Sequence, residues 1–215
     1  NCQYSFVEPA GAASLKEALI AGQPEKLARI DNFTDGASVA RIGDRNFDVL
    51  KNVSVEDVLI IQENRICTTM LEMLDVEGIV LEPAGALSID VLKDMSDEII
   101  GQNIVCITTG GNFDFERLPE VKERAARYSG LKKYFILSLP QRPGALKDFL
   151  ETLGANEDIT RFEYLKKSAR NFGSVLIGIE TSKPEEFDAL FNRLDAGDYL
   201  YQDITEDEML SQFLI

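Results

Sequence analysis

Three short segments of the sequence carry residue types that could bind a small charged molecule. Thr108-Thr109-Gly110-Gly111-Asn112 combines glycines, which let backbone N–H groups approach an anion, with hydroxyls that can bond to a ring nitrogen. Glu82 precedes Pro83 at the end of an apolar run, where partial burial could perturb its carboxylate. The third segment, Arg142-Pro143-Gly144-Ala145-Leu146, joins a predicted strand to a predicted helix.

Each segment also has a purely structural interpretation. A Gly-Gly pair is common in turns between a strand and a helix, and a Glu-Pro turn often leaves the glutamate in solvent. Gly144 would expose the first N–H groups of a helix to a carboxylate, such as that of a small amino acid, whereas Pro143 could simply shape the first helical turn. The glycines around Gly110 match neither the phosphate loop of NTPases nor the dinucleotide-binding pattern of three spaced glycines.

The third segment lies within a predicted β-α-β-β-α-β arrangement over residues 131–215. Apolar residues at i, i+3, i+4 and i+7 predict two helices, the first ending at Gly154, and a capping box at 205–208 predicts a final helix. Two helices on one face of a four-stranded sheet form the ferredoxin-like fold. The predicted strands are Tyr134–Leu139, Ile159–Leu165, Val175–Ile179 and Tyr199–Ile204, and the two helices contain Leu146–Leu153 and Phe187–Leu194.

The other two segments lie in residues 1–130, where predicted strands and helices alternate. Alternation of this kind predicts a parallel, doubly wound α/β sheet, and such sheets bind ligands beyond the carboxyl ends of their strands. The loops at Glu82–Gly85 and Thr109–Asn112 follow the strands predicted at Ile79–Leu81 and Asn103–Ile107, the latter as a buried strand. Further strands are predicted at Tyr4–Val7 and Asp57–Ile61, and Ala37–Ile42 is either a short strand or an extended loop; the predicted helices are Ala12–Ala21, Phe47–Val53, Glu63–Asp75, Ala86–Met95 and Phe115–Tyr128.

The composition excludes several functional classes. The net charge of −15 argues against binding of nucleic acid or an anionic membrane, which requires concentrated lysine and arginine. The chain has no histidine, so no Ser/His/Asp or Cys/His catalytic group can be built. Cys2, Cys67 and Cys106 share no short spacing, which favours neither a zinc site nor a disulfide framework and indicates a reducing cytoplasm. No apolar run approaches the length of a membrane span.

Taken together, these motifs resemble one enzyme family. Leu139–Leu146, with its Pro-Gly-Ala-Leu turn, resembles ACT and ACT-like regulatory domains, which bind amino acids and usually pair across subunits. The segments 35–43, 82–86 and 109–112 resemble, in the same order, the later part of the catalytic domain of biosynthetic threonine dehydratase, also called threonine ammonia-lyase. The resemblance implies a tryptophan-synthase-β-like domain that uses pyridoxal phosphate, ending near residue 130, and one ACT-like domain over 131–215.

The resemblance also implies an activity and roles for individual residues. The family converts L-threonine to 2-oxobutanoate and ammonia for isoleucine biosynthesis, and isoleucine or valine acts on the regulatory domain. Thr109 corresponds to a hydroxyl residue, usually serine, that faces the pyridine nitrogen of the cofactor, with Gly110 beside it and Glu82 in the same cleft. Leu146 and Tyr164 correspond to positions associated with the effector response, near Gly144. A dimer or tetramer of identical chains is expected.

Two departures from the family pattern bear on activity. The lysine segment Ser-Phe-Lys-x-Arg and the glycine-rich phosphate cup do not occur in this sequence, and the chain begins with Asn-Cys-Gln-Tyr rather than Met. We therefore expect a carboxyl-terminal portion of the enzyme that is inactive by itself. Two alternatives remain at this stage: a stand-alone, non-catalytic amino-acid-binding module, and a nucleotide-binding α/β enzyme that uses Thr108–Asn112.

Overall fold

The computed structural model describes residues 2–165, 172–207 and 210. The chain divides into two compact units, residues 1–125 and 126–215, and each has its own hydrophobic core. In chain order the elements are β1 (Phe6–Pro9), α1 (Ser14–Ala21), α2 (Asp44–Leu50), β2 (Val58–Ile61), α3 (Glu63–Glu77), α4 (Pro83–Asp90), α5 (Leu118–Tyr128), β3 (Lys132–Pro140), α6 (Ala145–Leu150), β4 (Asp158–Leu165), β5 (Phe172–Glu180), α7 (Glu186–Ala196) and β6 (Leu200–Asp203).

The first unit is built around a pair of parallel strands and the helices that follow them. Strands β1 and β2 pair in parallel, with Phe6 opposite Val58, as the alternation of strands and helices predicts. Helix α1 is followed at its C-terminus by Gly22. The φ of Gly22 is 72°, a left-handed conformation that suits a residue without a side chain. Apolar side chains from the loops, β2 and the helices share one core, which includes Phe33, Ile61, Ile66, Met70, Leu87 and Val121.

Two strands predicted in this unit are not formed. Ile79–Leu81 and Asn103–Ile107 have no strand assignment, and the Val105 side chain is 86% exposed. A strand is stable only where a neighbour satisfies its backbone hydrogen bonds, and an apolar run does not report that neighbour. The prediction of a buried strand over 103–107 is therefore wrong. Ala37–Ile42 is a loop, the second of its two alternatives.

The second unit has the predicted β-α-β-β-α-β order. Its four strands form one antiparallel sheet in the order β4-β5-β3-β6. Because side chains alternate along a strand, every second residue of β3 and β5 points to one face, where α6 and α7 pack. The residues that join these elements into one core are Phe135, Leu137, Leu139, Phe149, Val175, Ile177, Ile179, Phe187, Leu190 and Leu194.

The helix boundaries in this unit differ from the prediction at one position. Helix α6 ends at Leu150 rather than at Gly154, and the segment after it is held by polar contacts. The Gly154 N–H donates to Glu157 Oε2 (2.8 Å), and Arg193 of α7 donates to the Thr152 carbonyl (2.7 Å). In the predicted capping box, the Thr205 hydroxyl accepts a hydrogen bond from the Tyr134 N–H (2.9 Å). Residue 208 of that box lies outside the described residues, as do residues 209 and 211–215, where the sequence predicts the final helix.

Candidate functional site

The two loops that the sequence predicts as a ligand site lie against each other in the first unit. The Glu82 N–H donates to the Gly110 carbonyl (3.1 Å), which joins the start of α4 to the Thr109–Asn112 loop. A Cβ on Gly85 would lie 2.7 Å from the Gly110 carbonyl oxygen, closer than real Cβ contacts allow. The backbones therefore approach closely because residue 85 is a glycine.

A third loop, which sequence reasoning did not place at this site, also contacts Glu82. A Cβ on Gly36 would lie 3.0 Å from Glu82 Oε1, and the Glu82 side chain fills the space that a Cβ on Gly110 would need. Gly110 has a φ of 117°, which side-chain-bearing residues rarely adopt. The half-buried Glu82 side chain thus occupies the space beside Gly36 and Gly110, and the neighbouring Thr109 is exposed.

The second unit contains a cavity of about 510 Å³ between the β3–α6 turn, α6 and β4. All three predicted effector residues, Gly144, Leu146 and Tyr164, line this cavity, although they are far apart in sequence. Gly144 has a φ of 85°, so the turn before α6 requires glycine at this position. Helix α6 has only six residues, which makes its N-terminus a weak anion site by itself. The remaining lining residues are Leu139, Pro140, Gln141, Arg142, Pro143, Ala145, Lys147 and Leu150.

Burial shifts the pKa of Glu8 and of Cys67 elsewhere in the first unit. It raises the pKa of Glu8, although that carboxylate accepts hydrogen bonds from the backbone N–H groups of Leu15 and Lys16. It raises the pKa of the Cys67 thiol to about 12, so Cys67 stays protonated at neutral pH and is not a nucleophile. The described residues contain no acidic, cysteine or histidine cluster suited to a metal ion. No described helix is long and apolar enough to cross a membrane.

Comparison with known proteins identifies the class to which this arrangement belongs. Residues 1–110 match the family described as "Pyridoxal-phosphate dependent enzyme", and residues 123–214 match the "C-terminal regulatory domain of Threonine dehydratase". The first match covers more than half of the chain, so the protein belongs to the family of pyridoxal-phosphate-dependent enzymes. The resemblance noted in the sequence is thereby confirmed.

Individual relatives narrow this class. The chain is 45% identical over 210 residues to the protein named L-threonine dehydratase biosynthetic IlvA of Bacillus subtilis, and 44% identical over 209 residues to its namesake in Halalkalibacterium halodurans. Each alignment covers 97% of this chain and 50% of the relative, so the chain spans about half their length. The solved structure of the processed form of threonine deaminase isoform 2 from Solanum lycopersicum is 30% identical, with a TM-score of 0.50, over 56% of this chain and 33% of that one.

Three loops that carry residue types suited to pyridoxal phosphate meet around Glu82. Glycines at 36, 85 and 110 let these loops pack closely, with the Glu82 side chain in the space beside Gly36 and Gly110. The exposed Thr109 beside it offers a neutral hydroxyl, and Glu82 offers a carboxylate. Glu82, Thr109 and Gly110 are predicted from their motifs and stay predictions as cofactor contacts, whereas Gly36 is not predicted at this site, although its Asp-Gly turn was the available signal.

Proposed function

We propose that this chain is part of a pyridoxal-phosphate-dependent L-threonine ammonia-lyase that converts L-threonine to 2-oxobutanoate and ammonia. The observation that carries the proposal is the order of the two family matches, a cofactor-dependent enzyme over residues 1–110 followed by a threonine dehydratase regulatory domain over 123–214. Relatives that align with 97% of the chain bear the name of that enzyme. Both findings favour this function over a stand-alone regulatory module.

In this proposal the first unit contributes one side of the cofactor site. Thr109, Gly110 and Glu82 would hold this side of the cofactor, with the Thr109 hydroxyl as the partner of the pyridine nitrogen. A neutral hydroxyl does not enforce protonation of the ring nitrogen, which suits an elimination. When bound, the cofactor supplies an electron sink for the carbanion at the α carbon. The lysine segment and phosphate cup of the family do not occur in this sequence, so we expect no activity from the chain alone.

The second unit, in this proposal, senses isoleucine or valine. Gly144, Leu146 and Tyr164 line one cavity whose volume lies in the range of small-molecule sites. Apolar side chains dominate its walls, as an aliphatic ligand requires.

A second copy of the chain is the proposed partner of the second unit. Exposed apolar side chains lie at the cavity and on the adjacent strands, with Phe172 of β5 53% and Leu150 of α6 44% exposed. Strand β4 is an edge of the sheet and can pair with another chain. Light scattering should report a dimer or tetramer. We also propose that the protein acts in the cytoplasm, in keeping with its free cysteines.

A chimera tests the catalytic part of the proposal. The amino-terminal half of the Bacillus subtilis relative, fused to this chain at the alignment boundary, should form 2-oxobutanoate from L-threonine when pyridoxal phosphate is added. The chain alone should form none. Thr109→Ser should retain activity in the chimera, whereas Thr109→Asp, which places a carboxylate against the pyridine nitrogen, should lower it. A folded chimera without activity would contradict the proposal.

Thermal shift tests the regulatory part on the chain as it stands. A ligand that binds only the folded state raises the melting temperature, so isoleucine or valine should raise it more than aspartate or lysine. Identical melting with every amino acid would count against an effector site.

A further inference from the structure

The sheet of the second unit has an open face, which is the face opposite α6 and α7. Because side chains alternate along a strand, Tyr134 and Ile136 of β3 point to this open face, and Ile136 lies opposite Leu176 of β5. Tyr134 is buried, whereas Ile136 and Leu176 are half-buried. Apolar side chains in the middle of a sheet face are stabilised when another element packs against them, so this face favours an apolar partner.

The carboxyl-terminal segment, residues 206–215, begins beside the open face. Leu210 is helical and packs against Tyr134 and Ile204, in the same apolar cluster as the two half-buried residues of β3 and β5. The Leu210 N–H donates to Asp207 Oδ1 (2.9 Å), three residues earlier in the chain, which is the hydrogen bond of a helix N-cap. The start of the segment is therefore helical and lies on the open face.

The sequence of the segment continues the apolar pattern that Leu210 begins. Met209, Phe213 and Leu214 lie outside the described residues, but in sequence they stand one residue before, three after and four after Leu210. In a helix that is capped by Asp207, these four apolar side chains share one face. The polar residues of the segment fall on the opposite side of such a helix: Glu208, Ser211 and Gln212.

The charge at the start of the segment is complementary to that of the surface beside it. Arg127 and Lys132 are both more than nine-tenths buried; Arg127 donates to the Thr205 carbonyl, and the Lys132 ammonium lies 5.6 Å from the centre of the Tyr134 ring. Arg127 Nε is buried and has no hydrogen-bond partner among the described residues. The next three residues of the chain, Glu206-Asp207-Glu208, are all acidic. Buried cations need acidic partners nearby, and the segment brings them.

We propose that residues 206–215 form a helix that packs across the open face of the sheet. Its apolar side covers Ile136 and Leu176, and its acidic start lies against Arg127 and Lys132. This inference goes beyond the proposed function, because it assigns a partner to a surface that neither the cofactor site nor the effector cavity uses.

A second copy of the chain is the competing occupant of the open face. Two observations favour the segment: Leu210 already lies on this face, and covalent linkage gives the segment a high effective concentration there. Each copy also carries a net charge of −15, and like charge opposes face-to-face association of two copies. With the open face closed by the segment, the edge at β4 is left for the second copy.

Two substitutions in the full chain, at adjacent positions, test the proposal. Phe213→Asp places a carboxylate on the apolar side of the helix, whereas Gln212→Asp adds the same charge on its polar side. Phe213→Asp should lower the melting temperature of the second unit by about 5 °C or more and increase the fluorescence of anilinonaphthalene sulfonate, a dye that binds exposed apolar surface. Gln212→Asp should shift the melting temperature by less than about 2 °C and leave the fluorescence unchanged.

If the two variants melt and bind the dye alike, the proposal is wrong. Circular dichroism establishes that each variant is folded before it is heated. Phe213→Ala, a milder change in the same direction, replaces the aspartate variant if that variant does not fold.

Leu176→Asp distinguishes the segment from a second copy. If the segment covers the face, Leu176→Asp lowers the melting temperature, light scattering gives the same oligomeric state as for the wild type, and adding Phe213→Asp lowers the melting temperature little further, because both changes break one contact. If Leu176→Asp splits the wild-type oligomer, a second copy occupies the face and the proposal is overturned. None of these measurements uses an amino-acid ligand, so their outcome does not depend on the effector function.

Discussion

Replacing Gly173 by alanine should weaken effector binding from a position outside the cavity. Gly173 lies in β5, and the Tyr164 ring of β4 covers it. A Cβ at residue 173 would lie 2.6 Å from Tyr164 Cε2 and 3.0 Å from its hydroxyl oxygen. Ordinary contact begins near 3.4 Å, so the ring would have to retreat by about 0.8 Å. Tyr164 is 37% exposed and lines the cavity, which leaves it room to swing outward.

The expected effects on stability and on affinity differ in size. Overpacking costs roughly 1–3 kcal/mol, and we take the low end because the ring can move toward solvent. Alanine offsets about 0.4–1 kcal/mol of this by restricting the unfolded chain, so the free energy of unfolding should fall by less than about 1 kcal/mol. A ring that buries about 40 Å² less apolar surface on the ligand loses about 1 kcal/mol of binding. That loss corresponds to a rise of about fivefold in Kd.

Denaturant unfolding and calorimetric titration with L-isoleucine measure the two effects separately. A double-mutant cycle tests whether Gly173→Ala acts by displacing the Tyr164 ring. In a Tyr164→Ala background there is no ring to displace, so Gly173→Ala should change Kd by less than twofold. The reasoning is refuted if Gly173→Ala weakens binding equally in both backgrounds. It is also refuted if unfolding free energy falls by more than about 3 kcal/mol, because the clash would then be with the core.

Three further predictions concern side chains away from the cavity. Burial alone would raise the pKa of Asp203, but hydrogen bonds from Thr205 and Lys133 outweigh it and lower the pKa. The ionised Asp203 therefore stabilises the fold at neutral pH, and this contribution is lost as pH falls below about 4. Denaturant unfolding of Asp203→Asn should show a weaker loss of stability below that pH than unfolding of the wild type. Asp90 is fully buried and accepts hydrogen bonds from Thr69 and Arg65 (both 2.6 Å), so Asp90→Ala should lower the free energy of unfolding by about 3 kcal/mol, whereas Asp90→Asn, which keeps the shape, should cost less. Cys67 should resist a thiol-specific reagent at pH 8 until the chain unfolds, while the exposed Cys2 reacts at once; equal rates would contradict the raised pKa of Cys67.

The sequence predicts the second unit better than the first for a physical reason. Its helices show their buried faces as apolar residues at helical spacing, and three of its strands are eight or nine residues long, so each element carries a clear local pattern even though only β4 and β5 pair as neighbours in sequence. In the first unit the two strands that form have only four residues each, so a strand pattern there is short. The apolar runs at 79–81 and 103–107 have the composition of strands, but composition does not supply a pairing partner.

The same limit of prediction from sequence applies to single residues of the candidate sites. Thr109 and Tyr164 are predicted from the family resemblance; Thr109 lies beside Gly85, Tyr164 lines the cavity with Gly144 and Leu146, and their roles stay predictions. Gln141 is adjacent to the Pro143-Gly144 turn. Its side-chain nitrogen is buried without a hydrogen-bond partner among the described residues, which no local sequence pattern reveals. A polar residue in a turn is ordinarily solvated, so sequence reasoning had no ground to single it out.

Both sites depend on a side chain that occupies space left by a distant glycine. Glu82 lies where a Cβ on Gly110 would be, and Tyr164 lies where a Cβ on Gly173 would be. In each case the absence of a side chain at the glycine sets the position of a side chain at the candidate site. Substitution at Gly173 should therefore act through Tyr164, whereas a side chain at Gly110 would also be strained by the φ of 117° at that residue. The role of such a glycine can be recognised only from the three-dimensional structure. The side chain that occupies its space is 28 residues away in sequence for Gly110 (Glu82) and 9 residues away for Gly173 (Tyr164).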